Sequence, residues 1–264
     1  MKKLLAVLLI LTATFLTACG GESPGEQGGK HGDVIVIGID DEFAPMAFRD
    51  EHNELVGFDI DLAVETARRM GVKIVFKPID WNNKREEITS GKVDIIWNGL
   101  NINDERREYM IFSKPYMEDR QILLVNKGNT QDIRSEYDLA GKRVGTQAGS
   151  TAETFITADE KLKNNFAALN VYGKIQEALN ALSSNNIDAI ACDEIIARYE
   201  MSKHPNQFEI IDIPTGKIIE MGIGFRKDEA KLRDSLQKAF DDIVEDGTAK
   251  RISEKWFDAD LIKK

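Results

Sequence analysis

Twice along this chain the same rhythm appears: a short apolar run of strand length, apolar residues at helical spacing, then another short apolar run. In the first series "DVIVIGID" precedes Ile60, Ala63, Val64 and Ala67, which fall at i, i+3, i+4 and i+7. Gly71 then stands where a glycine closes a helix. "VKIVFKPID" reads as a strand, Asn83 to Ser90 as a helix and "VDIIWNG" as a strand. Uninterrupted apolar runs suit strands buried on both faces, so the βαβαβ order predicts a doubly wound α/β unit.

The second series starts at "KRVGTQAGS", a strand leading into a helix from about Thr151. Ile175, Ala178, Leu179 and Leu182 repeat the helical spacing, and "IDAIACD" is another apolar strand. Between the two series "ILLVNKG" reads as a strand leaving the first unit. "GIGFRKD" reads as one returning to it, before an amphipathic helix from about Glu229 to Glu245. Two crossings without a long linker predict a hinge of paired strands. The expected organisation is lobe 1 over residues 33–120 plus 220–264, and lobe 2 over 121–219.

The start, "MKKLLAVLLILTATFLTACG", has two lysines, an apolar run from Leu4 to Leu16 and small residues ending in Cys19. That pattern is a secretory signal over residues 1–18, too short to read as a spanning helix. Leu16-Thr17-Ala18-Cys19 resembles the lipobox of bacterial lipoproteins, which implies lipidation of Cys19 (diacylglyceryl transfer, with palmitate-type acylation) and cleavage before it. The alternative is a plain secreted protein in which Cys19 is incidental. Residues 19–32, rich in glycine and poor in apolar side chains, read as a flexible tether holding a domain off the membrane. Cys192 would then lack a disulfide partner, so the exported domain must rest on its core.

The formal net charge of −10 has no compensating basic stretch, which excludes nucleic acid as a partner. His31, His52 and His204 have no metal-like spacing, and no metal or cofactor is expected. "GEQGGKH" lacks the leading glycine and the Ser/Thr of a phosphate loop, and no G-x-S-x-G elbow is present; ATP hydrolysis is not expected.

Open α/β sheets bind ligands beyond the carboxyl ends of their strands. Here those ends carry Asp40 with Phe43 following, Asp80-Trp81, Asn98-Gly99, Gln147 leading into "AGST", and Asp193. Each has a bland reading as a loop residue or cap. Together they would line one cleft. Gly149-Ser150-Thr151 opens a helix and offers backbone N–H groups and hydroxyls to an anion, although an ordinary N-cap explains it as well. In "NINDERREYMIFSKPY", Arg106 and Arg107 follow the N-cap signature of Asn103, in a first turn where the helix dipole disfavours cations. An arginine there could fork onto a carboxylate and an aspartate opposite could take an ammonium; a zwitterionic α-amino acid satisfies both.

At this point the chain resembles the polar amino-acid family of bacterial extracellular solute-binding proteins, which serve ABC importers and have a two-lobed periplasmic-binding-protein fold. The resemblance runs from Val34 to Phe257 through "FAPMAF…NELVGFDIDLA", "IDWNNKREEITSGKVDIIWNG", "NINDERREYMIFSKPY", "DLAGKRVGTQAGST", "ALNALSSNNIDAIACD" and "DGTAKRISEKWF". It implies that Arg106, six residues before Phe112, grips the ligand α-carboxylate, with Gly99, Asn101, Ser150 and Thr151 completing that site. Arg107 becomes a solvated residue. Asp193 matches the aspartate that receives the α-ammonium, and could also cap the helix of "EIIARYE". Phe43 and Trp81 match aromatic positions that sandwich the ligand side chain, with simple core packing as the alternative, and Asp40 matches one that reads its polar end. Asn101 and Asn103 stand where the family often has Thr or Ser; Gln147 and Cys192 occupy variable side-chain positions.

Asp40, Asp41 and Glu42 beside the aromatics favour a cationic or amide side chain (arginine, lysine, histidine or glutamine), with the lean toward a basic amino acid. The resemblance implies a lipid-anchored, extracytoplasmic monomer that closes its lobes over a polar amino acid and offers the closed form to a permease driven by a separate ATPase. Two other readings are a dehydratase on the same fold, for which Glu118 and Glu194 are the acids to inspect, and a ligand sensor. Nothing after Phe257 resembles a transmembrane or kinase segment, so a sensor would need a separate partner.

Overall fold

In the computed structural model, which describes residues 34–128, 130–158, 160–213 and 218–264, the first apolar run becomes β1 (Val34–Ile39), buried almost throughout its length. The signal segment and the whole of the tether, including Cys19, lie outside the described residues. After β1 comes a small antiparallel meander, β2 (Glu42–Phe43), β3 (Ala47–Arg49) and β4 (Leu55–Val56), to which the sequence pattern assigns no strand. Strands of two or three residues are too short to show a periodicity. Next are α1 (Phe58–Met70), β5 (Lys73–Pro78), α2 (Lys84–Thr89), β6 (Ile95–Ile96), α3 (Asp104–Arg107) and β7 (Met110–Phe112).

On α1 the buried stripe includes Ile60, Ala63 and Ala67 together with Leu62 and Thr66, and Gly71 ends the helix in the left-handed conformation at φ 70°. Val64, expected on that stripe, is 50% exposed. Leu62 and Thr66 rotate the face away from it, and Thr66 does so without penalty because its hydroxyl donates to Leu62 O at 2.7 Å.

The second lobe holds β8 (Met117–Asn126), β9 (Arg143–Gln147), α4 (Thr151–Ala158), α5 (Glu160–Asn164), β10 (Ala168–Tyr172), α6 (Ile175–Ser183), β11 (Ala189–Asp193), α7 (Glu194–Lys203) and β12 (Phe208–Asp212). The chain then returns through β13 (Ile218–Met221) to β14 (Gly224–Arg226), α8 (Ala230–Glu245) and α9 (Thr248–Phe257).

One sheet has the order β5-β1-β6-β14-β7, with β1 parallel to both β5 and β6; the other runs β10-β9-β11-β8-β12, with β9 parallel to β10 and β11. Helices cover both faces. In the first lobe α1 packs with α8 and α9, while α2 contacts β1, β6 and β14. In the second, Ile122, Leu124, Ile190 and Cys192 face the cluster that holds α6, and their alternates Leu123, Val125, Ala189 and Ala191 face the cluster that holds α4. Apolar side chains on both faces are why these strands read as unbroken runs rather than alternations.

Two α/β lobes are thus joined by a hinge of the periplasmic-binding-protein type. Its antiparallel strands are β8 and β13, which pair from Met117↔Met221 to Arg120↔Ile218. The returning strand is therefore "IIEM" (Ile218–Met221), whereas "GFR" of the expected segment already belongs to the first sheet. The apolar character of "GIGF" marks it as core, and the hinge strand's mixed polarity hid it.

Candidate functional site

Asp40, Asp80 and Asn98 follow β1, β5 and β6 at their carboxyl ends; Gln147 and Asp193 end β9 and β11. The two sets come from different lobes, and side chains tie them together across the cleft.

Arg106 lies on α3, whose N-cap Asn103 accepts the Arg106 N–H at 2.8 Å. The guanidinium is 2% exposed, and burial holds its pKa below the usual arginine value. Its Nη1 donates to Asn101 O at 2.7 Å and its Nη2 reaches Gly149 O of the other lobe at 3.3 Å. Arg107 is exposed, with its guanidinium 5.6 Å from the centroid of the Phe112 ring. Arg106 Nε, Asn101 Nδ2, Asn98 Nδ2 and Thr151 Oγ1 are all buried with no hydrogen-bond partner among the described residues. Native interiors rarely leave donors so.

A cation that the sequence reading did not single out stands beside them. Lys84, at the first position of α2, is 5% exposed and donates to Trp81 O at 3.0 Å and to Gly149 O at 2.7 Å. Burial, and after it the charge of Arg106, pushes its pKa down to about 7. The signal was the same one that marked Arg106, a cation in the first turn of a helix. Gly149, at φ +67°, lets the lobes meet here: a Cβ would stand 3.0 Å from Asn82 Cα and Lys84 Nζ.

The helix start behind Gly149 is organised differently from the expected anion cradle. Ser150 Oγ accepts the Glu153 N–H at 3.0 Å, an N-cap bond, and Glu153 Oε2 takes the Gly149 N–H at 2.7 Å. Glu153 thus supplies the helix with its own anion. The free hydroxyl is that of Thr151. Across from it Gly99, at φ +53°, gives its N–H to buried Asp59 at 2.6 Å; burial pushes that carboxyl up to about 7.

Facing this group of donors is a group of acceptors. Asp193 sits at the N-cap position of α7, but its carboxylate makes no capping bond, so the capping that it could also have supplied does not occur. It accepts instead from Gln121 Nε2, its cross-strand neighbour on β8. Burial raises its pKa to about 6, against the lowering effects of Gln121 and Arg106. Asp119, two residues before Gln121, is raised by burial and then by the charge of Asp193, while the backbone N–H groups of Arg120 and Ile195 pull it down. Gln121 Oε1 and Asp119 Oδ2 are buried acceptors without a partner among the described residues.

The third part of the cleft is already paired. Asp40 is fully buried; its Oδ1 accepts from Lys174 Nζ at 2.6 Å and its Oδ2 from Gln147 Nε2 at 2.6 Å. Asn98 Oδ1 accepts the Asp40 N–H at 3.3 Å. Phe43, Gln147, Ser150, Cys192 and Asp193 line a space of about 10 Å³, room for about one water. Phe43 and Trp81 belong to different hydrophobic clusters, and the cation facing Trp81 is the protein's own Lys84, 5.4 Å from the ring centroid.

The acids considered for catalysis are engaged elsewhere. Glu194 accepts from Arg120 and Arg198, which hold its carboxyl below the usual range, the wrong direction for a general acid. Glu118 pairs with Lys263 at 2.6 Å. Among the described residues no group of three His, Cys, Asp or Glu side chains is arranged to hold a metal.

The profile of the bacterial extracellular solute-binding proteins, family 3, matches residues 35–259. The L-cystine-binding protein TcyJ of Escherichia coli K12 is 30% identical over 236 residues, covering 89% of this chain and 86% of that protein. A Streptococcus pneumoniae ABC uptake transporter substrate-binding protein, solved with bound histidine, superposes with a TM-score of 0.83 at 34% identity, covering 88% of this chain and 95% of the other. An ancestral arginine-binding protein bound to glutamine gives 0.79 at 36% identity, covering 86% and 99%.

Proposed function

This chain belongs to family 3 of the bacterial extracellular solute-binding proteins, a binding protein rather than an enzyme, and from that premise we propose that it captures a polar L-α-amino acid between its lobes. One observation carries the reading: buried donors without partners (Arg106 Nε, Asn101 Nδ2, Thr151 Oγ1) gather at one end of the cleft, and buried acceptors without partners (Gln121 Oε1, Asp119 Oδ2) at the other. A zwitterion supplies both deficits, its carboxylate to Arg106 and its ammonium to Asp193 and Gln121. Gly99, Asn98 and Ser150 shape the walls; Phe43 and Trp81 pack against the ligand side chain and Gln147 meets its end. Relatives that bind cystine and histidine, and the arginine-binding ancestor with glutamine, support a polar ligand.

The ligand must bridge the lobes, so it stabilises the closed form by its differential affinity for that form. Family membership implies an extracytoplasmic protein of an ABC importer. On the finer scale we infer residues 1–18 as the signal, lipidation at Cys19 with residues 19–32 as tether, lobe 1 over 33–120 plus 220–264, and lobe 2 over 121–219. The partners are then a permease and a separate ATPase, met by a monomer. Calorimetric titration with the twenty protein amino acids and cystine tests the ligand class; micromolar binding of at least one is expected, and no binding of any would refute it. Mass spectrometry of the mature amino terminus should find a lipidated residue 19; an unmodified one rules out the anchor.

A further inference from the structure

Lys174 precedes α6 in the second lobe, and Asp40 follows β1 in the first. Asp40 carries the charge that a basic ligand side chain would be expected to meet. Both its oxygens are already taken by donors from the facing lobe, Lys174 Nζ and Gln147 Nε2, each at 2.6 Å. The remaining acids nearby are accounted for as well. Asp41 accepts Arg49 Nε at 2.9 Å and has an oxygen 3.8 Å from Lys174 Nζ; Glu177 Oε2 accepts the Lys174 backbone N–H at 3.2 Å. Glu42 is exposed and gives its N–H to Asp40 Oδ1 at 3.1 Å.

The geometry points to Lys174 as a specificity-determining residue: a built-in counter-ion on Asp40 that turns the side-chain end of the cleft against singly cationic ligands and toward ligands whose far end carries an oxygen acceptor and no net charge. This rests on reading the cleft as an amino-acid site. The physical reason lies in the bonds. A ligand guanidinium or ammonium reaching Asp40 must displace Lys174 and leave that cation in its path, a like-charge contact in a partly buried setting. Lys174 is 25% exposed at its side chain, against 1% for Asp40, so the acid cannot follow it into water. An amide brings an oxygen for Lys174 and an N–H group for Asp40. A second α-amino-acid end brings a carboxylate for the first and an ammonium for the second. Either keeps the pair intact and adds to it, and Gln147 can donate to the same oxygen set. Burial works against the Lys174 charge, yet its bond to Asp40 and the surrounding acids raise its pKa overall, so the counter-ion stays charged.

Calorimetric titration of the full chain, and of Lys174→Met and Lys174→Arg, with glutamine, cystine, arginine and lysine tests this. The wild type should bind glutamine or cystine at least tenfold more tightly than either basic amino acid. Lys174→Met should shift that ratio at least tenfold toward arginine, and Lys174→Arg should restore the wild-type order. A wild type that prefers arginine or lysine, or a ratio unmoved in Lys174→Met, overturns the inference while leaving the amino-acid site standing. No binding of any amino acid by any of the three overturns both. Should Lys174→Met fail to fold, the wild-type order and Lys174→Arg decide.

Discussion

The two ends of the cleft are polar in opposite ways. Around Arg106 the donors have few partners, and two cations, Arg106 and Lys84, share a single carbonyl, Gly149 O. Around Asp40 both carboxylate oxygens are met by donors from the same chain, Lys174 Nζ and Gln147 Nε2. A folded protein leaves buried polar groups unpaired where something else is to pair them. On the proposed reading, the Arg106 end would serve a ligand group that is always present, an α-carboxylate. The Asp40 end, balanced internally, would respond to ligands by how well they fit into an existing ion pair. Affinity common to all ligands should come from the first, discrimination from the second.

The largest effect expected is from Arg106→Ala. Removing a buried charged donor costs about 3 kcal/mol or more, so every amino acid that binds should lose about 100-fold in affinity, by a similar factor for each. A loss confined to some ligands would break the distinction between the two ends; isothermal titration with several amino acids reads it directly.

Asp193 comes next. Its pKa of about 6 lies above the ordinary aspartate value, and an ammonium ligand favours the ionised form, lowering the pKa in the complex. Binding therefore releases a proton below about pH 6. Affinity should be full above that pH and fall by about tenfold per unit beneath it until the pKa of the complex is reached. Titration at pH 5 and pH 7 in buffers of different ionisation enthalpy measures both the fall and the proton. Asp193→Asn should weaken binding at pH 7 by about 30-fold and flatten the acid limb.

Lys84 gives the smallest change and the sharpest contrast. Its pKa is depressed to about 7, and a ligand carboxylate favours the cation, so its contribution is present below about pH 7 and fades as pH rises above it. Lys84→Met should lower affinity at pH 6 by about tenfold and leave affinity at pH 8.5 nearly unchanged. An equal loss at both pH values would mean that Lys84 acts through packing against Trp81 and not through charge.

Much of this was legible in the residues. Arg106 could be picked out because a cation at a helix start has an electrostatic reason to be elsewhere, and the family resemblance, through the spacing to Phe112, added a second mark. Asp40, Gln147 and Asp193 could be placed because apolar runs end on them. Lys84 carries the same mark as Arg106, but it sits among polar and charged neighbours, "NNKREE", with nothing local to show that it is buried. Gln121 and Asp119 were missed because polar residues at the start of an apolar strand look like its solvated end. In the structure Asp119 pairs with Ile219 on β13 and Gln121 with Asp193 on β11, and both carry buried oxygens. Ser150 and Thr151 were offered as equals; the cap bond to Glu153 separates them, and such a bond depends on one rotamer.

By itself the sequence determined the local and periodic features: apolar strands, helices at their spacing, a glycine at the end of α1, and a polar residue after the strands that face the cleft. These follow from neighbours within a few residues, where sterics and burial act alike in any context. Only the tertiary structure decided which charges meet. Lys174 and Asp40 are separated by 134 positions in the chain and by 2.6 Å in space, and Arg106 reaches Gly149 across 43. Coulomb energy depends on the second kind of distance, and lobe closure sets it.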